Sequence, residues 1–296
     1  MTQASTSRRA ALIALAFPTL IWSYNWIVMK QALQFSGPFE FSALRYVGGT
    51  IVLFAVLLVR RESLRPPPLV PTAMIGLAQT LGFQLLVQWA LVDGGAGKTA
   101  LLAYSMPFWL VLFGWLVWKV RPAPRLIAGL AVAGIGLVLV LEPWLGLGDG
   151  RSSLLALAGG FAWAIGVSLS KRLFERGGIN VLSLTAWQML IGSAGMVVIA
   201  LLVPERPIEW SNAFIAALLY NTVLASGLAW LLWSFVVAEL PANVAGLSSL
   251  VIPIAGVAFA WALLGERPSP VECVGIVFIA VALLLVNWRS GEAQSR

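Results

Sequence analysis

Apolar runs of about 20 residues follow one another along nearly the whole of this chain, and a bilayer is the environment in which such runs fold. They fall at roughly 10–33, 38–59, 70–92, 97–118, 123–142, 153–174, 180–203, 211–237, 241–264 and 270–288. Proline, glycine and charge mark the joints: Arg65-Pro66-Pro67-Pro68, Asp93-Gly94-Gly95, Arg121-Pro122-Ala123-Pro124, Gly146 to Gly150, Pro204 to Pro207, and Arg267-Pro268-Ser269-Pro270. Ten helices of that length consume about 210 of the 296 residues, so every connection is short and no extramembrane domain is expected. The fold class is an all-α integral membrane protein with ten transmembrane helices. Arg8 and Arg9 precede a first run too long for a signal peptide, so that run is expected to be retained.

What the chain lacks narrows its chemistry. Charged residues make up 10% of it, against roughly a quarter in soluble domains. It contains no His, which excludes an imidazole base, a Ser-His triad and a His-ligated metal. Its one Cys, Cys273, allows no internal disulfide and reads as a small apolar filler. No Walker, HExxH or dinucleotide motif is present. No catalytic residue, metal ligand set or cofactor is therefore expected, and the chain does not read as an enzyme. The net charge of +7 suggests no nucleic-acid partner, because the bases sit at the ends of apolar runs.

Those bases set an orientation. With the N-terminus inside, thirteen fall on the inner side (Arg8, Arg9, Arg60, Arg61, Arg65, Lys119, Arg121, Arg125, Lys171, Arg172, Arg176, Arg289 and Arg296). Five fall outside (Lys30, Lys98, Arg151, Arg206 and Arg267), and Arg45 lies within a span. The positive-inside rule then predicts both termini in the cytoplasm of a multi-pass protein of the cell inner (plasma) membrane.

The chain also resembles itself. A shift of 141 residues lays Trp22 on Trp163 and Lys30 on Lys171. A shift of 146 lays Pro107 on Pro253, Arg121 on Arg267, Pro122 on Pro268, Pro124 on Pro270 and Gly129 on Gly275. Two repeats follow, residues 1–145 and 146–296, with five spans each. Five is odd, so the second repeat enters the membrane inverted. Inverted repeats build secondary transporters with a site near the midplane between the halves.

Polar groups inside spans are costly and mark candidate sites. Thr80, Gln84 and Gln88 stand at i, i+4 and i+8, one helical face about 12 Å long. Their repeat mates are Ser226, Trp230 and Ser234. Two readings stay open: walls of a central cavity, or hydrogen-bonding contacts between helices. Pro107 and Pro253 each free the carbonyl four residues back, that of Ala103 and of Ser249, for a cargo ammonium or simply as part of a kink. Tyr104 adds a hydroxyl beside the first kink. Arg45 suits a cargo carboxylate, but its depth favours a structural or gating role. Trp22 and Asn25, with Trp26, share a face of the first span, and Trp163 is the counterpart of Trp22. Trp118, Trp144, Trp210 and Trp288 read as interfacial belt residues. Trp22, Trp163 and Trp230 lie too deep for that, and suit either a planar cargo or core packing. Lys30 and Lys171 read as interface anchors. Gly129-x3-Ala133 is a weak dimerisation signal, and the chain reads as a monomer or weak dimer.

The stretch Leu264-Gly265-Glu266-Arg267-Pro268-Ser269-Pro270, followed by Gly275, resembles the end of an EamA repeat of the drug/metabolite transporter superfamily. Trp22, Lys30, Pro38 and Arg45 resemble its beginning, and Pro107 and Pro253 its fourth-helix proline. Val120 departs from the pattern, standing where the second repeat has Glu266. The resemblance implies ten helices around a central cavity and movement of small metabolites, often outward. The tryptophan-rich spans are most similar to the family's aromatic amino acid exporters. The expected activity is export of a small-molecule cargo, foremost aromatic amino acids, by alternating access across the lipid bilayer. Other amino acids or organic-cation drugs are the alternative cargo.

All twelve carboxylates fall in connections or at span ends, whereas proton-coupled carriers relay through buried acids or His. Flux through purified protein in liposomes is therefore expected to be unchanged by a pH gradient. A several-fold acceleration by the gradient would contradict uncoupled transport.

Overall fold

The structure, a computed structural model, describes residues 3–142, 144 and 150–287. Trp288, Arg289, Glu292, Arg296 and the glycine-rich connection at 145–149 lie outside them. Among the described residues the chain is helical with no strand. The elements are α1 (Gln3–Ala32), α2 (Pro38–Val59), α3 (Leu69–Ile75), α4 (Phe83–Asp93), α5 (Ala96–Ala103), α6 (Met106–Leu116) and α7 (Pro124–Leu141). They continue with α8 (Gly150–Glu175), α9 (Val181–Leu202), α10 (Asn212–Leu219), α11 (Ala229–Glu239), α12 (Ala242–Ser248), α13 (Val251–Leu264) and α14 (Pro270–Asn287).

Seven stretches of the described residues are long and apolar enough to cross a bilayer: Pro38–Val59, Leu69–Asp93, Ala96–Leu116, Gly150–Glu175, Val181–Leu202, Asn212–Glu239 and Val244–Leu264. Pro124–Val140 and Pro270–Ala282 are shorter apolar helices. Local chemistry sets the starts. Pro38 and Pro124 open α2 and α7, where proline's fixed φ fits and its missing N–H is not needed. Asn180 and Ser211 cap α9 and α10, accepting from the Ser183 and Phe214 amides at 2.8 and 3.2 Å. Ser269 and Glu272 form a reciprocal capping box at the start of α14, at 2.7 and 3.0 Å.

Four spans differ from the uninterrupted helices that the sequence pattern suggests. Gly76–Gly82 is π-helical between α3 and α4, and Tyr220–Leu228 is π-helical between α10 and α11. The extra residue per turn rotates everything before it relative to everything after it. The other two spans break: residues 104–105 separate α5 from α6, and residues 249–250 separate α12 from α13. Hydrocarbon offers no water to a broken backbone, so side chains supply the missing partners.

Most of the buried apolar residues form one large cluster, with two small ones beside it. α2 packs on α9, α4 on α8, and α1 on α11 and α13. α7 and α14 form a peripheral pair whose approach depends on two glycines. A Cβ at Gly136 would stand 2.6 Å from the Gly275 carbonyl, and one at Gly275 equally close to that of Gly136. Gly129 and Ala133 are buried along the same side of α7 as Gly136 and Val140, so the small-residue pattern serves packing within the chain. Cys273 is exposed rather than a core filler. Gly275→Leu is expected to destabilise the fold by about 1–3 kcal/mol through overpacking. Gly114→Ala, where nothing lies within 4 Å, is expected to leave the melting temperature unchanged or slightly raised. Thermal unfolding in detergent checks both; equal melting temperatures for the two variants would contradict the close helix approach.

Candidate binding cavity

The spans with π-helical turns are held by long side chains. Lys30, near the end of α1, donates to the carbonyls of Leu91 (2.8 Å), Val92 (3.3 Å) and Gly94 (2.8 Å), capping the C-terminus of α4. Lys171, near the end of α8, donates to the Ala238 carbonyl at 3.2 Å, at the C-terminus of α11. Both lysines are thus helix caps rather than plain interface anchors, each joining the helix that carries Trp22 or Trp163 to a span with a π-helical turn.

Inside this frame six segments surround a narrow cavity of about 30 Å³. α1 contributes Trp22, Asn25, Trp26 and Met29; α2 contributes Arg45 and Tyr46; α4 contributes Phe83, Gln84 and Val87. Tyr104 comes from the break after α5, Trp163 from α8, and Ala225 and Trp230 from the last span of that group. The lining runs from Trp163, midway along α8, to Met29 and Val87, near the helix ends at Ala32 and Asp93.

The rings form one connected cluster. Phe83 stacks on Trp163 at 4.8 Å and 25°. Tyr104 meets Trp163 edge-on at 5.1 Å, and Trp230 meets Trp22 at 5.2 Å. Trp233 closes the cluster 5.4 Å from Trp163. The Trp22 indole donates to the Ala225 carbonyl at 3.0 Å, which ties α1 to the second π-helical turn. Trp230 donates to the Tyr46 hydroxyl at 2.9 Å. A cavity walled by offset and edge-on rings receives a flat apolar group well, because each face and edge offers complementary charge.

Arg45 stands in the wall and is 2% exposed. Its Nη1 donates to Asn221 Oδ1 and its Nη2 to Gln84 Oε1, both at 2.5 Å. The guanidinium also lies over the rings of Tyr46, at 4.9 Å, and Phe41, at 5.7 Å. The arrangement binds the residue in the wall instead of letting it snorkel to an interface.

The structure gathers seven sequence candidates around the cavity: Trp22, Asn25, Arg45, Gln84, Tyr104, Trp163 and Trp230. Others it places elsewhere. Thr80 sits in the π-helical turn, is rotated off the Gln84 face, and meets Gln188 at 3.3 Å. Ser226 occupies the equivalent turn, where its Cβ would stand 2.8 Å from a Cβ on Gly49. Gln88 is buried outside the lining, with neither amide atom partnered. Neither residue whose carbonyl was expected to be free lines the cavity. Ser249's accepts from the Ile252 amide at 3.0 Å. Ala103's lies against Gly160, where an added Cβ would approach within 2.7 Å. Pro107 and Pro253 lie near the start of α6 and α13, after each break rather than inside a kinked helix. Phe83 and Tyr46 were not legible as site residues. Their only sequence signal is adjacency to Gln84 and Arg45, and only the observed helix rotation turns both neighbours toward one space.

The EamA-like transporter family matches the chain at residues 9–142 and 150–288. An uncharacterized transporter, YoaV, of Bacillus subtilis is 24% identical over 90% of this chain and 93% of its own length. A protein of Salmonella typhimurium named as a probable amino-acid metabolite efflux pump is 28% identical over 94% of this chain and 95% of its own. A crystal structure 20% identical in sequence superposes with a TM-score of 0.76, over 97% of this chain and 99% of that one, and so shares the fold. Its helical architecture and these matches along nearly its whole length agree: the chain belongs to the EamA-like transporter family of membrane transporters.

Proposed function

We propose that this chain exports small metabolites, foremost aromatic amino acids, by alternating access. The observation that carries the reading is the connected cluster of Trp22, Phe83, Trp163 and Trp230, which lines a cavity together with the polar side chains of Asn25, Arg45 and Gln84. Its volume of about 30 Å³ lies below the roughly 300–1,000 Å³ usual for metabolite pockets, so in this reading the rings part when cargo enters. The name of the Salmonella relative supports an amino-acid-like cargo. Trp22, Asn25, Phe83, Gln84, Tyr104, Trp163 and Trp230 are the cargo contacts in this reading. Thr80, Gln88, Ser226 and Ser249 act behind them.

The same reading takes the chain as ten spans in two inverted repeats, 1–145 and 146–296, with both termini cytoplasmic. Paired local features support it. Each repeat has a π-helical turn, at Gly76–Gly82 and Tyr220–Leu228, and a broken span, at 104–105 and 249–250. Each has a lysine cap, Lys30 and Lys171. Each has a glutamate reaching the start of the other's second span: Glu205 accepts from the Phe39 and Glu40 amides, and Glu62 from Asn180, the cap of α9. The two stretches matched by the family, 9–142 and 150–288, each fall within one of these repeats. Alternating access then needs no new fold, since each half can adopt the other's arrangement. Pro107 and Pro253 are positioned as hinges beside the two breaks.

Liposomes holding the purified protein are expected to take up labelled tryptophan and phenylalanine saturably. Trp163→Ala is expected to lower that flux by roughly tenfold or more, while the yield of folded protein falls less. Equal losses of flux and yield would remove Trp163 from the site. Absence of saturable aromatic amino acid flux would overturn the cargo.

A further inference from the structure

Arg45 presents a charge imbalance that the fold leaves open. Its partners among the described residues are neutral: Asn221, Gln84, Tyr46 and two ring faces. The ion pair recorded among the described residues is Arg60–Glu62, on an exposed connection. A guanidinium has five N–H donors, and Arg45 Nε is buried without a partner. Removing a charge from water without a counter-charge is costly, and most proteins avoid it. Here the uncompensated group lines the cavity rather than the core.

Two more unmet groups line the same space. Trp163 Nε1 is a buried donor with no acceptor, and Asn25 Oδ1 is a buried acceptor with no donor. The residues are 1% and 5% exposed. The cavity thus offers one cation and a spare donor for an anion, and one spare carbonyl oxygen for a cation. From this pattern we propose that Arg45 binds the carboxylate of the cargo and Asn25 accepts from its ammonium, so that the cavity recognises an α-amino acid zwitterion and rejects organic cations. The proposal rests on the transport reading above and adds to it the group that every cargo must carry. Guanidinium and carboxylate match in shape and charge, and a carboxylate entering the cavity supplies the counter-ion that the protein lacks. A cationic ring compound gains the same ring contacts but brings a second positive charge to a buried first one. Gln84 and Asn221 hold the guanidinium against opposite walls and so act as positioning residues.

The test is equilibrium binding to the full chain in lipid nanodiscs, using two pairs of compounds: tryptophan with tryptamine, and leucine with isoamylamine. Each pair differs by the carboxylate alone. In the native protein the amino acid of a binding pair is expected to bind at least about tenfold more tightly than its amine, the scale of a lost charged hydrogen bond. Arg45→Gln is expected to abolish that preference, by weakening the amino acid and improving the amine. Asn25→Leu is expected to weaken tryptophan while sparing indole-3-propionate, which lacks the ammonium. Tryptamine binding as tightly as tryptophan, or a folded Arg45→Gln protein with an unchanged preference, would overturn the assignment while leaving a ring-binding cavity. Leucine preferred over isoamylamine, with no tryptophan binding, would sustain the role of Arg45 and overturn the aromatic cargo. Failure of every carboxylate-bearing compound to bind would overturn both. Where Arg45→Gln does not fold, the paired affinities of the native protein decide.

Discussion

Hydrocarbon provides no hydrogen-bond partner, so each departure from the α-helix inside a bilayer must be satisfied by the protein itself. Among the described residues this chain departs four times, at two π-helical turns and two breaks, and the partners that make those departures possible are also what shape the cavity. Lys30 and Lys171 cap the spans that contain the π turns. The Trp22 indole donates to the Ala225 carbonyl within the second turn and stays in the cavity wall. Gly160 lets the break at Tyr104–Ser105 press its backbone against α8. Tyr104 is thereby turned to meet Trp163. Backbone accounting and site construction are one problem in this fold.

The two ends of the bundle are not equivalent. At one, Glu205 receives the Phe39 and Glu40 amides and Glu266 receives those of Ala96 and Gly97 at 3.3 Å. Carboxylates at helix N-termini are favoured there by the helix dipole as well as by the bonds. At the other, Glu62 bonds Asn180, but Val120 stands where a shift of 146 residues finds Glu266. A valine cannot accept from the start of α12. The difference between Val120 and Glu266 therefore has a physical consequence: one end carries a carboxylate latch at the start of α5, and at the other Val120 offers no side-chain acceptor.

Much of this was legible before any coordinates. Apolar run length, with Pro and Gly at the joints, gave the helices, and residues 9–142 and 150–288 carry the family likeness that Glu266-Arg267-Pro268 first suggested. Trp22, Trp163 and Trp230 were identifiable because they lie too deep for an interfacial belt. What was hidden is the rotation of the helices. A periodicity argument assumes 3.6 residues per turn, so it put Thr80 and Gln84 on one face; the π turn at Gly76–Gly82 separates them. The same assumption made Pro107 a mid-helix kink, whereas a break precedes it and Pro107 follows the start of α6. Arg45 was visible as a buried charge. Its neighbours Asn221 and Gln84 come from distant parts of the chain, which no local pattern reports.

The central claim is that the space enclosed by Trp22, Phe83, Trp163 and Trp230 is where cargo sits. The most direct measurement is an experimental structure of the protein in nanodiscs saturated with L-tryptophan. The account requires indole density against Phe83 and Trp163, with a carboxylate toward Arg45. Tryptophan density at another location, or an unchanged cavity at saturating ligand, would contradict it.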